Sequence, residues 1–252
     1  MKYMQLLFGL LLTLSGMTLA CERTLKVGTS QLWPPYIFNA QSQLAGIDIE
    51  IVKLVLQEAG FCSQFIRFPS SNRAFVELEK GRVDLLPAAS YTAQRTRFSH
   101  FSEPYRREVM RLFWYPNQAL LEQDLAGLFT NQQIIVVNSG SYYGEEFARF
   151  SDNDQYNDLI VSVPLLRQRL DMLVAKRIDF FIDDELAGLY LVHNENIKGI
   201  NVHPYIINDN PVHFMLSKNT LSDDELNAIN LAIINSKQRI QTIINNYSKH
   251  YY

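Results

Sequence analysis

Ser90, Thr92 and Arg95 follow an apolar run from Val83 to Ala89 and precede the block Phe98-Ser99-His100-Phe101-Ser102-Glu103-Pro104-Tyr105. Residues of these types at this spacing place a hydroxyl, free turn amides and a guanidinium just past the end of a buried strand. That chemistry suits a small carboxylate. Arginine offers a planar, two-pronged donor, and a tight turn offers converging backbone N–H groups. Spacing alone leaves a plainer alternative open, in which Arg95 forms an ordinary surface ion pair after a turn.

A second polar cluster, Asp183-Asp184-Glu185, follows the apolar Phe180-Phe181-Ile182. The approach to it repeats the approach to Ser90. Leu78-Glu79-Lys80-Gly81-Arg82-Val83-Asp84 reads against Leu173-Val174-Ala175-Lys176-Arg177-Ile178-Asp179. Open parallel sheets bind ligands beyond the carboxyl ends of their strands. Two such sheets facing each other would put Ser90 and Arg95 on one wall of a cleft and Asp184 on the other. A cationic wall opposite an anionic wall matches a zwitterion.

The elements that must position these groups alternate along the chain. A strand at Thr24–Gly28 leads through Gly46-Ile47-Asp48-Ile49-Glu50 into a helix with Ile51, Val52, Val55, Leu56 and Ala59 on one face. Asp48 and Glu50 suit its positive end, and Gly60 is a natural stop. The strand Phe65–Phe68, a helix over Asn72–Lys80 and the strand from Val83 follow. The second half has strands at Ile134–Val137, Leu159–Val161 and Phe180–Ile182, with helices at Glu145–Phe150 and Leu165–Lys176. Alternation of this kind predicts parallel α/β sheets. A capping box from Ser222 to Glu225 opens the C-terminal helices.

At 252 residues, 47% hydrophobic and 12% aromatic, the chain can fill one large domain or two small ones. A net charge of -3, with no basic run longer than Arg106-Arg107, argues against a nucleic-acid partner. Residues 1–20 read as a signal peptide: Lys2, an apolar core Leu6–Leu14, and a Thr18-x-Ala20 cleavage site. The mature chain would then start near Cys21 in the periplasm.

Cys21 has two readings. Leu19-Ala20-Cys21 loosely resembles a lipobox, which would anchor a lipoprotein. The other reading, which we carry forward, pairs Cys21 with Cys62, the only other cysteine. Each stands just before a strand-like segment, and parallel neighbours would bring the thiols to one sheet edge in an oxidising compartment.

The chain resembles the family 3 extracellular solute-binding proteins, the bacterial group that includes polar amino-acid receptors of ABC importers. The resemblance rests on Gly46–Glu50, Leu78–Asp84, Ser90-x-Thr92-x-x-Arg95, Phe101–Tyr105, and Arg177-Ile178-Asp179 with Asp184. It implies a two-lobe periplasmic-binding-protein fold of type II, each lobe a mostly parallel sheet flanked by helices, with two hinge crossings near Val109–Tyr115 and Val212–Ser217. Lobe one would hold 21–110 and 212–252, and lobe two 111–211. Carried over, Arg95 pairs with the ligand carboxylate, assisted by Ser90, and Asp184 takes the α-ammonium. Trp33 packs on the ligand side chain, Gly140-Ser141-Tyr142 donates amides to the carboxylate, and Arg73 adds a second cation near the cleft. Tyr142 is bulkier than the small residue often found at its position.

The resemblance implies capture of a small carboxylate-bearing solute, an amino acid, by a monomer that delivers it to a membrane permease. A ligand sensor acting through a signalling partner and a periplasmic dehydratase-like enzyme are the alternatives. No nucleophile with a paired base stands out, and the five histidines lack metal-ligand spacing. The expectation is therefore a binder with no cofactor or metal.

Overall fold

The computed structural model describes residues 21–249 and residue 251. The signal-peptide reading of residues 1–20 lies outside them. The first half runs β1 (Arg23–Thr29), a small hairpin of β2 (Phe38–Ala40) and β3 (Gln43–Ala45), α1 (Ile47–Glu58), β4 (Phe61–Arg67), α2 (Ser71–Glu79), β5 (Leu85–Ser90), β6 (Ser99–Phe101) and β7 (Arg106–Trp114). The second half holds α3 (Leu125–Thr130), β8 (Ile135–Val137), α4 (Gly144–Ser151), β9 (Ile160–Ser162), α5 (Leu166–Val174), β10 (Phe180–Asp184) and α6 (Glu185–Asn194). The return is β11 (Asn201–Ser217), followed by α7 (Asp223–Asn235) and α8 (Lys237–Ser248).

The strand order is β4-β1-β5-β11-β7-β10-β8-β9, with β6 added on β11. The outer strands of both halves run parallel: β4, β1 and β5 on one side, β10, β8 and β9 on the other. Between them β7 and β11 form an antiparallel ribbon from Val212 opposite Arg106 to Asn201 opposite Trp114, with register shifts between Val202 and Ile206 and between Ile206 and Asn208. This is the two-lobe α/β fold expected, with two strands crossing between lobes. The crossing strand β11 begins at Asn201, well before the expected Val212. Residues 201–211 carry little apolar alternation, and their extended form comes from the ladder to β7 rather than from a buried face.

Local chemistry explains the elements that hold the site. In α1, Ile47, Ile51 and Val55, with Val52 and Leu56, are fully buried at helical spacing. Gly46 precedes the helix at φ 117°, and a Cβ there would come 2.4 Å from the Tyr36 carbonyl oxygen. Only glycine fits. Asp48 lies in the first turn of α1 as expected, and it is also buried and ion-paired to Arg106, with Nε to Oδ1 at 2.8 Å and Nη2 to Oδ2 at 3.0 Å. Ser222 and Glu225 form the expected capping box.

Cys21 and Cys62 form a disulfide where β1 and β4 pair in parallel, with Thr24 opposite Cys62. The bonded Sγ of Cys21 cannot also carry a lipid thioether.

Candidate functional site

A partly open cavity of about 120 Å³ lies where strands of both halves end against the crossing ribbon. The turn after β1 supplies Thr29, Gln31 and Trp33, and α2 supplies Phe75. β5 contributes Leu86, Pro87 and Ala88, and the ribbon supplies Glu108 and Met110. From the second half come Asn138, Ser141 and Tyr143 after β8, Arg169 on α5 and Asp183 on β10. This is the position that the strand topology dictates for a ligand.

The two halves touch directly around this cavity. Gln31 Nε2 donates to Asn138 Oδ1 at 3.3 Å and to the Pro164 carbonyl at 2.6 Å. Trp33 Nε1 donates to Asp183 Oδ1 at 2.7 Å. Arg95 is mostly buried. Its Nη1 donates to the Ser90 carbonyl at 2.8 Å, and its Nη2 reaches the Gly140 carbonyl at 3.0 Å. These bonds use two of the five N–H donors of a guanidinium. Phe75 lies under the group at 4.6 Å. Burial lowers the Arg95 pKa from its ordinary value, and the Glu108 carboxyl and Tyr142 oppose that shift. Gly140 sits at φ 87°, a left-handed conformation that favours glycine, and a Cβ there would come 2.4 Å from Asn72 Oδ1 across the contact.

Four charged or acidic groups stand on or behind the wall. Arg169 and Asp183 form a buried ion pair through Nη2 and Oδ2. Arg169 Nη1 also donates to the Val163 carbonyl at 2.8 Å, while its Nε has no hydrogen-bond partner. Asp183 accepts further bonds from Trp33 and from the Asp184 amide at 2.8 Å. Glu108 accepts from Ser90 Oγ at 3.4 Å. Burial pushes its carboxyl up to about 8, with Arg106 opposing and Asp184, Asp183 and Asp48 adding to the rise. Asp184 rises to about 6, again by burial against the pull of Arg106.

The expected site residues divide into two groups. Trp33 and Ser141 line the cavity. Ser90 and Arg95 stand beside it, joined to lining residues through Glu108 and Phe75. The other three lie off the wall. Asp184 caps α6, accepting from the Tyr36 hydroxyl at 2.8 Å, the Ala187 amide at 3.2 Å and the Val109 amide at 3.3 Å. The adjacent Asp183 takes the place on the wall instead, because alternation along β10 points neighbouring side chains to opposite faces. Tyr142 gives way to Tyr143, which lies in the turn before α4 and whose hydroxyl accepts from the Asn138 amide at 2.8 Å. Arg73 is half exposed and pairs with Glu77 one helical turn on, at 2.8 Å. The Ser141 amide bonds the Asn138 carbonyl at 3.3 Å within its own turn. Glu108, Arg169 and Tyr143 were not among the expected residues.

Residues 25–250 match the description "Bacterial extracellular solute-binding proteins, family 3". The chain belongs to this family of binding proteins. A probable histidine-binding protein of Campylobacter jejuni is 23% identical over 177 residues. That match takes in 69% of this chain and 65% of the relative, so it spans less than two thirds of the relative's length. Solved structures share the fold. The GluR0 ligand-binding core in complex with L-glutamate superposes with a TM-score of 0.75 at 19% identity, over 89% of this chain and 98% of that one. The arginine-, lysine-, histidine-binding protein ArtJ of Geobacillus stearothermophilus gives 0.75 at 17%, over 89% and 94%. A histidine kinase sensor domain gives 0.73 at 19%, over 89% and 95%. Among the described residues of this family 3 chain, no group of three or more His, Cys, Asp or Glu could hold a metal, and no helix is long and apolar enough to cross a membrane.

Proposed function

We propose that this chain is a periplasmic receptor that captures a small amino acid between its lobes for ABC-type import. Lobe one comprises 21–110 and 212–252, and lobe two 111–211. The observation that carries the reading is the position of Ser90 between a guanidinium and a carboxyl group beside the cavity. Its carbonyl accepts from Arg95, and its hydroxyl donates to Glu108. A zwitterion presents its carboxylate and ammonium at that kind of spacing.

In this reading the ligand carboxylate displaces the Gly140 carbonyl from Arg95, and the exchange strengthens the bond because both partners are then charged. Ser141 and its turn lie beside the carboxylate. The ammonium goes to Glu108, with Asp184 behind it adding negative potential. Asp184 thus acts through its field rather than by contact. Trp33 packs on the ligand's side chain, and Arg73 stays in its surface pair. Relatives named for histidine, arginine and glutamate support the amino-acid class.

A sensor module that signals through a membrane partner is the second reading, favoured by the likeness to the kinase sensor domain. A thermal-shift screen against amino acids, dicarboxylates and polyamines tests the ligand class, since a ligand well above its Kd raises the melting point by mass action. Stabilisation by amino acids supports the reading. A response confined to polyamines contradicts it.

A further inference from the structure

We infer that Arg169 is a built-in cation that closes this cavity to cationic amino acids and selects a small ligand with an uncharged hydroxyl-bearing side chain, of which L-serine is the type. The inference rests on the proposed amino-acid capture and names the ligand class of that same site.

Three observations carry it. Asp183 is the wall carboxylate from lobe two, and its charge is already matched by Arg169; both side chains are more than nine-tenths buried. An incoming lysine or arginine side chain would meet a guanidinium where it needs an unpaired carboxylate. Like charges forced together in a site this buried repel strongly.

The second observation is what remains unsatisfied. Thr29 Oγ1, Gln31 Oε1 and Arg169 Nε are buried with no hydrogen-bond partner, and all three residues line the cavity. Buried polar atoms without partners are rare in folded proteins and call for a ligand or water. Here they comprise an acceptor, a donor and a hydroxyl that can act as either. A ligand hydroxyl, which donates once and accepts as well, answers that set. A methyl group leaves it unanswered, and an ammonium or guanidinium cannot accept from Arg169 Nε.

The third is size. The cavity's 120 Å³ is smaller than the roughly 150 Å³ that holds a six-carbon ring. By that comparison its interior takes about five non-hydrogen atoms, and it is partly open, so a bound amino acid extends into the mouth. Serine overfills the interior only slightly; arginine, lysine and histidine overfill it much further.

The test is a titration of the purified protein with L-serine, L-alanine, L-arginine, L-lysine and L-histidine, read by melting point and by calorimetry. Serine should bind at least about tenfold tighter than alanine, the loss expected when buried partners go unmet, and the three cationic or bulky ligands should produce no shift. Arg169→Met should admit arginine or lysine by exposing Asp183, and adding Asp183→Asn should remove that gain. If Arg169→Met does not fold, the double variant decides, because it removes both charges together: its serine-to-alanine ratio should fall toward one. An unchanged ratio overturns the inference. So does tight binding of arginine, lysine or histidine by the unaltered protein, although amino-acid capture then stands. Failure of every amino acid to bind overturns both.

Discussion

Arg95 reaches the Gly140 carbonyl at 3.0 Å, a bond from the strand-end turn of one half to the strand-end turn of the other. The same guanidinium holds the Ser90 carbonyl, so one side chain ties both walls. Closure of the free chain should therefore depend on Arg95. Small-angle scattering of ligand-free Arg95→Ala is expected to give a larger radius of gyration than the unaltered protein. Equal radii would mean that Gln31 and Trp33 hold the halves together without Arg95.

Glu108 predicts a pH dependence of defined sign. Its folded-state pKa of about 8 lies far above the ordinary carboxyl value, so between those values the folded chain binds more protons than the unfolded one. Stability of the free protein therefore falls as pH rises through this window, by up to about 1.4 kcal/mol per pH unit. Asp184, at about 6, contributes with the same sign in the lower part only. The interval from pH 6 to 8 thus isolates Glu108, and Glu108→Gln should flatten the melting-point curve there.

Ligand binding should run the other way. An ammonium needs the ionised carboxylate, so capture releases a proton and affinity rises with pH, up to tenfold per unit below about 8. Calorimetry in buffers of different ionisation enthalpy measures the proton count. No proton release would mean that Glu108 does not receive the ammonium.

The Arg169–Asp183 pair should be costly to break and cheap to replace. Removing Arg169 alone leaves an uncompensated buried carboxylate, for which about 3–5 kcal/mol of destabilisation is expected. Replacing both with groups of similar volume should cost far less, since the desolvation penalty of the pair disappears with the pair. Urea unfolding of the single and double variants measures the difference.

Much of this arrangement was legible in the sequence, and part of the rest left a signal there. Alternating strands and helices, the Leu78 and Leu173 repeats and the paired cysteines indicated the fold and the disulfide. Trp33 and Ser141 follow from turns that close strands. Asp183 and Asp184 could not be separated by composition, because only the phase of β10 decides which of two neighbours faces the cavity. Arg169 did carry a signal. It falls on the helical face marked by Leu166, Leu170 and Leu173, where a charge must be paired or functional. Glu108 carried one as well, sharing a strand face with Met110, Leu112 and Trp114. The reach of β11 had none, since its early residues take their form from a partner 90 or so positions away in the ladder.

The most direct measurement is a calorimetric titration of the unaltered protein and Arg95→Ala with the amino acid that stabilises the protein most, alongside its carboxamide analogue. We predict saturable binding of the amino acid to the unaltered protein, with loss of measurable binding both in Arg95→Ala and for the carboxamide, because each removes one half of a charge-assisted bond inside a closed cleft. Undiminished affinity of Arg95→Ala for the amino acid would contradict the assignment of Arg95 to the ligand's carboxylate.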